Sequence, residues 1–136
     1  MRMITTCVLS AALSMGLAMP SQAANGLAGE ADINNGLLTA AIAEKIQREC
    51  RSIGARIFKG RAYLNGLKDL ASDRGYSDAE IEAYINNDQE KAKMRERRNE
   101  YFKANGASNL DPDSLCVLGR SEIAKNSQVG ALLRAK

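Results

Sequence analysis

The chain has 136 residues, 19 Lys plus Arg against 16 Asp plus Glu, and no histidine. A net charge of +3 is too slight to draw the whole molecule to nucleic acid or to a membrane. Without an imidazole the usual general base near neutral pH is missing, and Ser-His-Asp and Cys-His catalysis are excluded.

The opening "MRMITTCVLSAALSMGLAMPSQA" joins Arg2 to an apolar run from Ile4 to Met19, then Pro20 and the small residues Ser21 and Ala23. That order predicts a cleavable signal peptide over residues 1–23. The run is broken by Thr5, Thr6, Ser10 and Ser14, and it falls short of the roughly 20 apolar residues that a spanning helix needs. Cleavage after Ala23 removes Cys7 and Arg2, takes 136 residues down to 113 and lowers the net charge from +3 to +2. The expected product is one periplasmic domain with no membrane span.

Cys50 and Cys116 then remain, an even number in an oxidising compartment, which predicts a structural disulfide between them. A redox pair would present C-x-x-C, and a metal site would lack histidine ligands; free thiols are the remaining alternative. No metal or other cofactor is expected.

Residues 24–34, "ANGLAGEADIN", are small and polar without a period, and read as a flexible leader into a single helical domain over 35–136. The pattern from there on is helical, and no stretch alternates long enough to predict a strand. The first helix, about 35–50, places Leu38, Ile42, Ile46 and Cys50 on one stripe, so Cys50 faces inward despite its polar neighbours. The second, about 53–73, carries Ile53, Ile57, Gly60, Leu64, Leu67 and Ala71; Gly60 suggests close approach of another helix, and Gly75 ends the run.

"YSDAEIEAYI" over 76–85 has the form of a capping box, with Ser77 as cap and Glu80 bonding back to it. Tyr76 and Ile81 form the accompanying hydrophobic staple, and Asp78 and Glu80 suit the positive end of the helix dipole. Asn87 restarts the chain as the cap of a helix over about 88–104. Asp111 and Pro112 then open a helix over 112–125 that turns Cys116 inward, and a short last helix around "SQVGALLR" supplies Leu132 and Leu133 to the core. The fold class is therefore all-α, a compact bundle of five to six helices with one intramolecular disulfide.

Motifs for chemistry are absent. There is no G-x-x-x-x-G-K-[ST] and no G-x-G-x-x-G, and "DINNG" lacks the glycine and glutamate positions of a calcium loop. Glu80 and Glu82 could serve a glycosidase only if they faced one cleft; beside a capping box they read as helix surface. No catalytic residue is expected.

The charge pattern is less uniform. Tyr76–Glu90 holds five acidic residues and no basic one, whereas Lys91–Lys103 holds six basic and two acidic. Helical projection groups Lys91, Met94, Arg95, Arg98, Tyr101 and Phe102 into a face that mixes aromatics with cations. Read plainly, long side chains snorkel past a narrow apolar seam; read functionally, the face docks a protein partner.

"GYSDAEIEAYI" over 75–85 and "CVLGRSEIAKNSQVGALLR" over 116–134 resemble a family of small exported alphaproteobacterial proteins of unknown function. The resemblance covers about Asn35 to the end and rests on the two cysteines, the capping segment, and Gly119-Arg120 followed by Gln128, Gly130 and Leu132-Leu133-Arg134. It implies a compact helical domain without an established activity. Because members' genes accompany those of the respiratory NADH:quinone oxidoreductase, it also implies an accessory or assembly role at an inner-membrane complex. The leading expectation is a non-enzymatic periplasmic protein that acts by protein–protein interaction. A disulfide-linked stress chaperone, opened by carboxylate protonation below about pH 5, is the alternative. A cell-wall glycan enzyme ranks third.

Overall fold

The computed structural model describes residues 26–136; the expected signal peptide, Cys7 included, lies outside them. Among the described residues six α-helices and one short two-stranded ribbon follow an opening 3-10 turn at Gly26–Gly29. Helix α1 is Ala31–Glu49, strand β1 Ile53–Ala55, α2 Ile57–Asp73, α3 Asp78–Asn86 and α4 Asp88–Ala104. Helices α5, Pro112–Lys125, and α6, Gln128–Ala131, precede strand β2, Leu133–Ala135. The all-α bundle holds, and the Cys50–Cys116 disulfide forms, with Cα atoms 5.2 Å apart.

α1 is the hub: α2, α4, α5, α6 and β1 all pack against it. Its stripe of Ile42, Ile46 and Cys50 enters the larger core, where Ile53, Phe102, Leu115, Leu118, Val129, Leu132 and Leu133 close around the disulfide. The N-terminal half of α1 feeds a second, smaller core in which Leu27, Ile33, Ala71 and Ile81 meet. One helix thus serves two cores placed end to end.

The expected leader over 24–34 is corrected from Gly26 onward. Leu27 and Ile33 are buried, and the Asn34 side-chain amide donates to the Leu27 and Glu30 carbonyls, each at 2.8 Å. The Tyr84 hydroxyl donates to the Asn34 side-chain oxygen, and Glu30 accepts from the Tyr76 hydroxyl at 2.9 Å while pairing with Arg74. These tertiary bonds hold a segment that lacks any apolar period of its own.

A second correction concerns residues 53–56 and the C-terminal segment. Ile53 belongs to β1, which pairs antiparallel with β2 in the register Ile53–Ala135, Gly54–Arg134 and Ala55–Leu133. An apolar residue four before Ile57 fits a helix as well as a strand end, so spacing alone misassigned it. Leu132 and Leu133 are core anchors as expected, although the last helix stops at Ala131.

The close-approach role expected of Gly60 is also displaced. A Cβ there would meet nothing within 4 Å. Instead Gly36 receives Leu67, Gly119 receives Ile46 and Ile53, and Gly130 lies against the backbone of Glu122, where a Cβ would stand 1.9 Å from the carbonyl oxygen. Gly75, with φ of +93°, ends α2 in the left-handed conformation that glycine adopts without strain.

Candidate functional site

Local signals placed the helices that frame the site. Ser77 Oγ accepts from the Glu80 amide at 3.2 Å while the Glu80 carboxylate accepts from the Ser77 amide at 2.8 Å, completing the capping box. Ile81 is buried and Tyr76 packs against the same small core, as a staple requires. Asn87 caps α4 through the Glu90 amide, and Asp111 caps α5 through the Asp113 and Ser114 amides.

The six residues of the predicted basic–aromatic face do not form one surface. Phe102 is fully buried in the larger core, and the Arg98 guanidinium lies over its ring at 6.0 Å from the centroid. Tyr101 is half-buried and its hydroxyl donates to Glu122 at 3.1 Å. Burial and that carboxylate push its pKa up to about 12. Arg95 points to solvent on another side, by Ala92, Glu96 and Asn99. Of the six, Lys91 and Met94 turn toward the groove over α1. Phe102 is therefore withdrawn from any docking face: an aromatic on the α4 stripe is core, and Arg98 covers it.

Glu122 is the buried carboxylate of the larger core, with the residue 1% exposed. Burial works to raise its pKa, but hydrogen bonds from Ser127, Lys125 and Tyr101 outweigh it and hold the carboxyl below its ordinary value. Its backbone carbonyl also accepts from the Ser127 amide at 3.2 Å, so the residue fixes the corner between α5 and α6.

The groove lies where the two cores give out along α1. Its floor is Leu37, Ala40 and Ala41; α2 supplies Leu64 on one wall, and Tyr84, Ile85 and Met94 stand on the other. Two adjoining sections, of about 250 and 360 Å³, share Leu37, Leu64, Tyr84 and Ile85. Leu64 and Ile85 are each nearly half exposed. Glu44, Lys68, Glu90 and Lys91 line the polar margins, so both signs of charge border an apolar bed. The sequence reading puts Ile57, Gly60 and Leu64 on one buried stripe of α2 with Leu67 and Ala71. That is corrected: Ile57 and Leu64 are exposed, and Tyr63, Leu67, Leu70 and Ala71 form the inward face, because the helices packed against α2 reach only that side.

Among the described residues no three His, Cys, Asp or Glu side chains gather as a metal site would need, and no helix is long and apolar enough to cross a membrane. The arrangement offers non-polar contact area and bordering charges. Neither a curated protein nor a solved structure matches the chain. A family model does match, over residues 25–134, and the chain belongs to that family of unknown function, DUF5333.

Proposed function

We propose that this protein acts without catalysis, by taking an amphipathic helix of a partner polypeptide into the groove over α1. The observation that carries the reading is the pair of joined apolar sections walled by Leu64 and by Ile85 with Met94. A bed of this kind suits apolar anchors spaced three and four residues apart, and mixed charges at its margins suit the flanks of such a helix. Of the basic–aromatic face expected from sequence, Lys91 and Met94 carry over into this site.

The leader expected over 1–23 and the Cys50–Cys116 cross-link support a periplasmic place of action. The resemblance described for residues 75–85 and 116–134 extends the proposal to an accessory or assembly role at an inner-membrane respiratory complex. A photo-crosslinking residue at Ile85, activated in intact cells and followed by peptide mapping, tests the reading. The expected product is one partner segment with a three-and-four apolar spacing, lost in Leu64→Glu and retained in Arg95→Glu. Crosslinks spread over many unrelated proteins, or a product that survives Leu64→Glu, would refute it.

A further inference from the structure

The even overall charge conceals a local excess. From Arg51 to Lys68 the sequence holds five cations and no carboxylate. Four of them, Arg51, Arg56, Lys59 and Arg61, surround the ribbon and the first turn of α2, and all four are exposed. The antiparallel register then adds Arg134 directly opposite Gly54, with its side chain 3.5 Å from where a Gly54 Cβ would stand. Among the described residues none of these five forms an ion pair. Arg56 gives its Nε–H to the Leu133 carbonyl at 3.0 Å, and the nearest carboxylate in sequence, Glu49, is held by Lys45 at 2.7 Å.

Between Arg56 and Lys59 stand the two largest apolar side chains of the α2 first turn. Ile57 is 66% exposed and Phe58 84%. The inward face of α2 is carried by Tyr63, Leu67, Leu70 and Ala71, so residues 57 and 58 project beyond what the bundle can cover. Leu110 is equally bare, but it is followed by Asp111 and Asp113. Exposed aromatic and branched side chains next to Arg and Lys that make no ion pair match a surface that is negative outside and apolar beneath.

We propose that the ribbon end of the molecule docks on an anionic phospholipid bilayer. Ile57 and Phe58 enter the boundary between headgroups and acyl chains, and the five cations face the lipid phosphates. This surface is separate from the groove over α1, and neither proposal requires the other.

The test is co-sedimentation with phosphatidylcholine vesicles, with and without phosphatidylglycerol, using the whole protein with its disulfide formed. A Phe58→Ala, Lys59→Ser, Arg61→Ser triple variant on each vesicle measures any contribution from residues 1–23, which is subtracted. Binding is expected on the mixed vesicles only, falling steeply as salt is added. Lys59→Ser and Arg61→Ser should each weaken it about fivefold, and Phe58→Ala about tenfold. Neither substituted cation has a partner among the described residues, and Phe58 is almost wholly solvated, so these variants should keep the native circular dichroism. Leu110→Ala and Leu64→Glu should bind as the parent does, which separates this surface from exposed leucine in general and from the groove. Equal binding to neutral vesicles, or indifference to Phe58 and to both cations, would overturn the proposal. So would an oligonucleotide bound as tightly as the vesicles and independently of Phe58.

Discussion

Gly130→Ala should unseat the C-terminal part of the fold. The added Cβ would stand 1.9 Å from the Glu122 carbonyl oxygen, 2.3 Å from its carbon and 2.8 Å from the Ile123 nitrogen. All three are backbone atoms inside α5, which cannot swing aside as a side chain can. Ordinary contact begins near 3.4 Å, so α6 must move off α5 by about 1.5 Å. That motion lifts Val129, Leu132 and Leu133, all buried, away from the larger core. Gaps of this size forfeit much of the dispersion attraction at each lining atom. Overpacking that moves backbone costs about 3 kcal/mol, against which alanine returns roughly 0.5–1 kcal/mol as a better helix former. A net loss of about 2–2.5 kcal/mol lowers Tm by about 10 °C in a domain of this size. Thermal and urea unfolding, followed by circular dichroism with the disulfide intact, measure it. Gly60→Ala is the matched control: nothing lies within 4 Å of its Cβ, and it should gain about 0.5–1 kcal/mol. If Gly130→Ala unfolds where the parent does, or both substitutions cost alike, the packing argument is wrong.

A reductant can reach the link only from the side of Cys116, which is half-buried, because Cys50 is fully buried; once cut, a link spanning 66 residues should cost about 4 kcal/mol in the chain-entropy model. Alkylation of both thiols in native buffer with Tm unchanged would contradict that. Glu122 makes the fold sensitive to acid in one direction. Its folded pKa lies below the unfolded value, so its stabilisation is complete above about pH 5 and is lost as pH falls through the folded pKa. Glu122→Gln should therefore flatten the acid limb of a stability–pH curve below about pH 4; an unchanged limb would assign acid unfolding to other carboxylates. Ser77→Ala removes the acceptor for the Glu80 amide and should cost about 1 kcal/mol, read as a shifted urea midpoint with constant slope.

What could be read from the sequence was whatever local chemistry decides. The boundaries of α4 and α5 follow from Asn87, Asp111 and Pro112, whose side chains act within three residues of themselves. The inward turn of Cys50 and Cys116 follows from helical spacing. Features decided by distant partners were not legible. Asn34 recruits the Leu27 and Glu30 carbonyls and is braced by Tyr84, 50 residues away, and no period in "ANGLAGEADIN" announces that. Gly60 and Gly130 look alike in sequence; only the arrival of α5 against α6 tells the open one from the crowded one. The basic–aromatic stripe of α4 divided for the same reason, since the burial of Phe102 depends on α1 and α5, not on its own helix.

The pairing of Ile53 with Ala135 carries a consequence for biogenesis. β1 has no strand to pair with until Leu133–Ala135, which begins 80 positions after Ile53, has left the ribosome and come round beside it. A nascent chain thus leaves β1 unpaired while α2 to α6 are made. Closing the ribbon is therefore among the last steps open to the chain, taken after every helix between its two strands has been made.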